Sequence, residues 1–220
     1  MSYHPNASVL QAYAQGSLDD VSAFTLATHI ESCPSCRRKV NRFEQQCGEE
    51  LVSSSINEND DFDAMFDKIV ALEQNSDPIR LPRMPTFVEV NGKTFRLPLS
   101  LSRFRDKISD WKSYGGKVFS AAIDISPDAR VNLMYIAENV TIPQHTHKGT
   151  ESTLVLHGSF SDEDGDYGVG DFLFKDGSIK HSPYTKEGED CLCLTVLTQP
   201  MIFTQGVARV FNLFGKGLYP

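Results

Sequence analysis

The sequence predicts an α+β protein of two domains, a small all-α N-terminal domain over residues 1–77 and an all-β barrel over residues 86–220, joined by a proline-rich linker at 78–85. Three observations carry this prediction. Up to about Gln74 the apolar residues recur at three- and four-residue intervals with few prolines, which is the period of helices. Pro78, Pro82 and Pro85 then interrupt the chain, and beyond them the pattern changes to short β-rich runs separated by Gly, Asp, Asn and Pro. The length of 220 residues also exceeds that of a common single domain, roughly 100 to 150.

In the N-terminal part, Val9, Leu10 and Tyr13 mark a first short helix that Gly16 ends. Ser17 or Asp19 can cap a second helix through Val21, Phe24, Leu26 and Ile30, running to about Glu31. Cys33-Pro34-Ser35-Cys36 turns the chain into a third helix through Val40, Phe43 and Leu51, with Pro34 suited to its first turn. A serine break at 53–55 follows. Asn59 or Asp60 can cap a fourth helix, in which Phe62, Met65, Phe66, Ile69 and Val70 form one apolar stripe opposite an acidic face. Such a stripe is commonly core, but the short preceding helices and polar linker favour partner binding here.

The β-rich runs are 87–90, 94–97, 118–122, 131–136, 153–156, 171–174 and 191–197. Many short strands at this spacing indicate a sandwich or barrel. No apolar run approaches the roughly 20 residues needed to span a bilayer, and the first residues lack the basic and apolar segments of a signal peptide, so a cytoplasmic protein is expected. In a reducing compartment, five cysteines with a C-x2-C pair indicate metal or redox chemistry rather than a disulfide framework. Net charge is −8, which argues against direct nucleic-acid binding. Residues 1–75 hold five basic and twelve acidic side chains, so this third of the chain suits a basic protein partner.

Five of the six histidines fall in two clusters. The first is His29-x3-Cys33-x2-Cys36, whose thiolates and imidazole suit zinc. His29 and Cys33 share a helix face, and Cys36 sits in the first turn of the next helix, where thiolate is favoured. A fourth ligand is needed. His4, tethered by the first helix, is the histidine nearby, and Cys47 competes with it. Closing such a site would join three short helices that bury little apolar surface.

The second cluster is His145-x-His147-x3-Glu151, with His181 thirty residues on. On a strand the two histidines point to one face, and Glu151 follows a turn at Lys148-Gly149. Three imidazoles and a carboxylate accept zinc, manganese, iron or nickel, so the ligand set implies a divalent metal without naming it. An open coordination position would admit water or substrate.

Over about 86–200 this half resembles the cupin family, jelly-roll barrels whose two motifs supply three His and one Glu to an interior metal. His145, His147, Glu151 and Gly158 stand in the first motif, and Gly170 and His181 in the second. The departures are Asn139 for a glycine, Asp176-Gly177-Ser178 for proline-x-glycine and Thr185 for a terminal asparagine. All four ligands remain, so fold and metal binding follow while a particular enzymatic subfamily does not. The H-x3-C-x2-C pattern in an acidic helical domain resembles the zinc-binding domain of anti-sigma factors that sequester extracytoplasmic-function sigma factors. The whole chain is similar to the ChrR-type anti-sigma factors. That resemblance implies that His4, His29, Cys33 and Cys36 hold zinc and that the fourth helix, with Phe62, Met65, Phe66, Ile69 and Val70, packs between two sigma domains. It also implies that the barrel is needed for release on a stress signal such as singlet oxygen.

Other features read as structural. Cys191 and Cys193 face one side of a strand and read as core thiols, His157 as a strand-end histidine, and the acidic stretch 162–166 as a solvated turn. Arg37, Arg38 and Lys39 form a solvated helix face. Trp111 and the apolar run 210–214 pack on the barrel or in a homodimer contact. The expected activity is therefore regulatory rather than enzymatic. The alternatives are a cupin metalloenzyme, dioxygenase- or hydrolase-like, with a zinc-binding regulatory module, and a redox-sensing scaffold using the cysteines.

Overall fold

The computed structural model describes residues 2–53, 62–73, 85–127 and 129–213. The predicted caps Asn59 and Asp60, the serines at 54 and 55, Pro78, Pro82 and Phe214 lie outside them. Helix α1, Ala7–Ala14, starts at Asn6, whose side chain accepts from the Val9 amide at 2.9 Å. It stops before Gly16, which turns left-handed at φ 66°. Of the two expected caps for α2, Asp20–Ser32, Asp19 takes the position and accepts from Val21 and Ser22. Pro34 opens α3, Pro34–Ser53, where its missing N–H costs nothing. Helix α4 is Phe62–Val70.

The small core between α1, α2 and α3 consists of Leu10, Leu26, Cys33, Cys36 and Val40. Two of its five buried members are thiols, so little apolar area holds this module together.

The β domain begins with a hairpin of β1, Phe87–Val90, and β2, Lys93–Arg96, turned at Asn91-Gly92. A single turn, α5, Leu99–Ser102, leads to β3, Lys112–Tyr114, β4, Val118–Ile123, and β5, Arg130–Ile136. Then follow β6, His145–His147, β7, Glu151–Asp162, β8, Gly165–Gly168, β9, Phe172–Lys175, β10, Cys191–Leu197, and β11, Met201–Phe203. One seven-stranded antiparallel sheet runs β3-β4-β5-β10-β7-β8, with β9 also on β7, while β6 pairs β11 in a separate ribbon. The expected jelly-roll is therefore present without a hydrogen-bonded closure of the barrel.

Strand β10 lies between β5 and β7 and is buried at all seven positions, which explains its unbroken apolar run. Leu192, Leu194 and Val196 face the main core with Val131, Leu133, Tyr135 and Leu154. Cys191 and Cys193 face the other side, among Val155, Phe160 and Leu173. The core reading of these thiols agrees with their burial. The main core also takes in Val21, and Phe24 packs against it with its ring 4.9 Å from Phe104. Helix α2 thus contributes to both domains. Trp111 packs against the same core.

Strand β7 runs well past the predicted 153–156, because a bulge at Leu156, two residues before the left-handed Gly158, lets it bend and continue. The register to β10 shifts between Leu192 and Cys193. His157 therefore sits within β7 rather than at a strand end, with its ring 4.8 Å from Phe95 and its Nε2 3.7 Å from Asp190. Gly158 has φ 66°, and a Cβ there would stand 1.7 Å from the Asp190 carbonyl oxygen. Gly158→Ala is expected to lower stability by about 3 kcal/mol, read as a fall in the thermal or urea midpoint. An unchanged midpoint would contradict this account of the bulge.

Candidate metal centres

Two groups of donor atoms converge, each with its members within 4.8 Å of one another: His145, His147, Glu151 and His181, and His4, His29, Cys33 and Cys36. All eight residues are those expected from sequence. Cys47 is not in the second group and lies half-buried on α3, which resolves the competition in favour of His4.

In the β domain, alternation on β6 turns His145 and His147 inward, each 2% exposed. Glu151 opens β7 opposite, and His181 is brought in by a bridge to His145. His147 Nε2 lies 3.1 Å and His181 Nε2 3.6 Å from Glu151 Oε2. The outer ring atoms are held. His145 Nδ1 donates to the Pro143 carbonyl at 2.9 Å, and His181 Nδ1 to Asp162 Oδ2 at 3.2 Å. Both rings therefore carry their proton on Nδ1 and turn the Nε2 lone pair inward.

Among the described residues, both ring nitrogens of His147 and Nε2 of His181 are buried without a hydrogen-bond partner. Burial, with the neighbouring His181 charge, drives His145 down to about 4, so its ring is neutral. Burial opposes ionisation of Glu151, yet the close approach of His147, with its Nε2 at 3.1 Å, outweighs it and brings the carboxyl to about 2. A neutral His145 imidazole, an ionised carboxylate and buried ring nitrogens lacking partners fit a divalent cation. Beside them opens a cavity of about 560 Å³ lined chiefly by apolar groups, among them Met134, Ile136, Phe160 and Phe203.

Asp162 is the functional residue that sequence reasoning placed wrongly. Instead of facing solvent in a turn, its side chain is wholly buried and accepts from Tyr167 and Lys175 at 2.8 Å as well as from His181. Burial alone would raise its pKa, but the His181 and Lys175 contacts hold it well below the usual carboxylate range. A run of acidic residues carries no signal of which one points inward.

In the helical cluster, His4 Nδ1 stands 3.5 Å from both Cys33 Sγ and Cys36 Sγ. The Cys36 amide points at Cys33 Sγ at 3.4 Å, a turn suited to a thiolate. His29 is fully buried at the end of α2, and its Nδ1 donates to the Gly170 carbonyl at 2.9 Å. Nε2 is left as the inward lone pair and has no hydrogen-bond partner. Burial drives His29 down to about 4. Burial and the Cys33 thiol push Cys36 up to about 11, and a cation at this point would favour its thiolate. The donor set suits tetrahedral zinc.

The chain thus joins a helical module with a two-histidine, two-cysteine cluster to a jelly-roll β domain with a three-histidine, one-glutamate cluster. Residues 117–200 match the family described as the ChrR cupin-like domain. The chain is 28% identical over 218 residues to the anti-sigma-E factor ChrR of Cereibacter sphaeroides, covering 96% of this chain and 97% of that one. It is also similar to ChrR in the crystal structure of Rhodobacter sphaeroides SigE in complex with the anti-sigma ChrR. That match has a TM-score of 0.69 and 27% identity, covering 89% of this chain and 98% of the other.

Replacing Cys33 and Cys36 by Ala is expected to lower bound zinc by about one equivalent per chain and to reduce helical circular dichroism, leaving metal in the β domain. Elemental analysis of both proteins checks this.

Proposed function

We infer that this chain is an anti-sigma factor that sequesters an extracytoplasmic-function sigma factor through its helical domain and frees it when a stress signal reaches the β domain. The observation that carries the reading is the similarity to ChrR over nearly the whole length of both chains, together with the ChrR structure solved in complex with SigE. The described residues include no helix long and apolar enough to cross a membrane, in keeping with action in the cytoplasm.

The physical reading agrees. On α4, Phe62, Met65, Phe66, Ile69 and Val70 are all about half exposed or more, Phe66 reaching 65%. An apolar stripe of this kind suits insertion into a groove of a folded partner. The acidic surface of the helical domain complements the basic, nucleic-acid-binding faces of a sigma factor and steers the encounter. Sequestration then requires occlusion and no bond-making step.

His4, His29, Cys33 and Cys36 would hold zinc as a structural staple for this domain. His145, His147, Glu151 and His181 would hold a divalent metal, and three of them, His145, Glu151 and His181, also line the apolar cavity. Zinc in the first site supplies folding energy, and the second metal supplies a coordination shell that a reactive species such as singlet oxygen, or a small ligand, can alter.

The cavity favours a second reading, a cupin metalloenzyme in which the helical module regulates or assembles. Turnover of a small substrate that is lost in Glu151→Gln, by a chain that captures no sigma factor, would establish that reading instead.

Co-expression with the sigma factors of its own genome tests the first. The wild-type chain is expected to co-purify with one of them, carrying about two metals per chain. Phe66→Asp with Ile69→Asp is expected to weaken that complex by at least a hundredfold while metal content stays unchanged. Retained binding would remove α4 as the anchor.

A further inference from the structure

The two clusters stand at opposite ends of one short strand. At its C-terminal end, Lys175 pairs in register with Glu151, a member of the β-domain cluster. Lys175 is buried, and its ammonium lies 2.8 Å from Asp162 and 2.7 Å from Asp164. Asp162 in turn fixes the Nδ1 proton of His181. At the N-terminal end, Gly170 accepts from His29, and the Phe172 ring packs edge-on against His29 at 5.7 Å. Asp171, between them, accepts from the Tyr3 amide at 3.0 Å, and the Phe172 amide donates to the Tyr3 carbonyl at 3.1 Å. Those contacts set the position of the next residue, His4.

A third tie comes from Glu31, two residues from both His29 and Cys33. Its carboxylate accepts from the amides of Leu99 and Ser100 at 2.8 and 2.9 Å. The surroundings of His4, His29 and Cys33 are therefore held by the β domain and not by the helical module alone. Strand β9 spans three residue steps, roughly 10 Å, and is zipped to β7 along its whole length, so a shift at one end is carried to the other.

We propose that β9 couples the two metal centres: occupancy of the β-domain site sets how tightly the helical site retains zinc, with Asp162 and Lys175 as positioning residues. This deepens the functional reading above and rests on both clusters binding metal. When the metal holds His181, the ring is fixed against Asp162, Asp162 and Asp164 hold Lys175, and β9 presents Gly170 to His29. When His181 loses its metal, the Asp162 contact loses its fixed partner, and the support of His29 and His4 is relaxed through the strand. By linkage, zinc in the helical site favours metal in the β-domain site to the same degree.

The test follows zinc release from the intact chain with a chromogenic chelator, after elemental analysis has shown how much metal each protein carries. His145→Ala removes a β-domain donor that lies outside β9 and keeps the backbone bridge to His181; in protein shown by elemental analysis to have lost the β-domain metal, zinc is expected to leave the helical site about fivefold faster or more than in wild type. The comparison is then repeated in a Lys175→Met background, where the difference between loaded and emptied β-domain sites is expected to collapse. Lys175→Arg restores it. Should Lys175→Met not fold by circular dichroism, amide hydrogen exchange of wild type and His145→Ala decides: protection over 170–175 and over 29–36 is expected to fall together.

Equal zinc release from wild type and His145→Ala would overturn the coupling. So would an undiminished difference in folded Lys175→Met, or exchange protection that changes over only one of the two segments. A wild-type chain isolated without metal would instead overturn the metal reading beneath it.

Discussion

Burying ionisable donor atoms that have no hydrogen-bond partner destabilises a fold, and this protein does so twice. His29, His147 and His181 each bury a ring nitrogen that no neighbouring donor satisfies, and Cys36 is a buried thiol pushed well above its usual pKa. Each such group left alone costs on the order of 1–3 kcal/mol, against a net stability of about 5–15 kcal/mol for a domain. A divalent cation would remove that cost at both sites by taking the lone pairs that hydrogen bonds leave free. The surrounding contacts are arranged accordingly, with carbonyls of Pro143 and Gly170 and the carboxylate of Asp162 holding the outer ring atoms.

The helical module depends on this more than the β domain does. The β domain has a broad core in which β10 is covered on both sides, whereas the helices share a small cluster that includes the two thiols. The module also leans outward: Val21 and Phe24 of α2 pack into the main core, and Glu31 caps α5. Two domains by pattern are thus one mechanical unit along α2. A module that rests on its neighbour in this way can respond to events in that neighbour.

Much of this was legible in the sequence. The H-x-H-x3-E and H-x3-C-x2-C spacings named six of the eight members of the two clusters, because both a strand and a helix end put such residues on one face, while His181 and His4 come from separate segments. Helices α1 to α4 followed from their period, α2 also from its Asp19 cap, and β10 from its apolar run, while the single turn α5 was not anticipated. Three short strands were not legible. Lys112–Tyr114 is nearly all polar, Gly165–Gly168 has one apolar residue, and Met201–Phe203 is too short to show alternation, so pairing partners rather than propensity make them strands. Asp162 was missed for a related reason. Its burial is set by Lys175, Tyr167 and His181, which lie 13, 5 and 19 residues away and reach it only after the sheet forms.

One asymmetry in the helical cluster bears on how a metal there would exchange. His29, Cys33 and Cys36 are sealed from solvent, while His4 is exposed and is reached by a short N-terminal segment rather than by a helix. Of the four residues that would hold the ion, His4 would therefore be the one open to an incoming thiol or chelator, without movement of a helix. Ligand replacement would be associative and stepwise, so the lifetime of the holo form depends on which competing ligands the solution contains as well as on affinity at equilibrium.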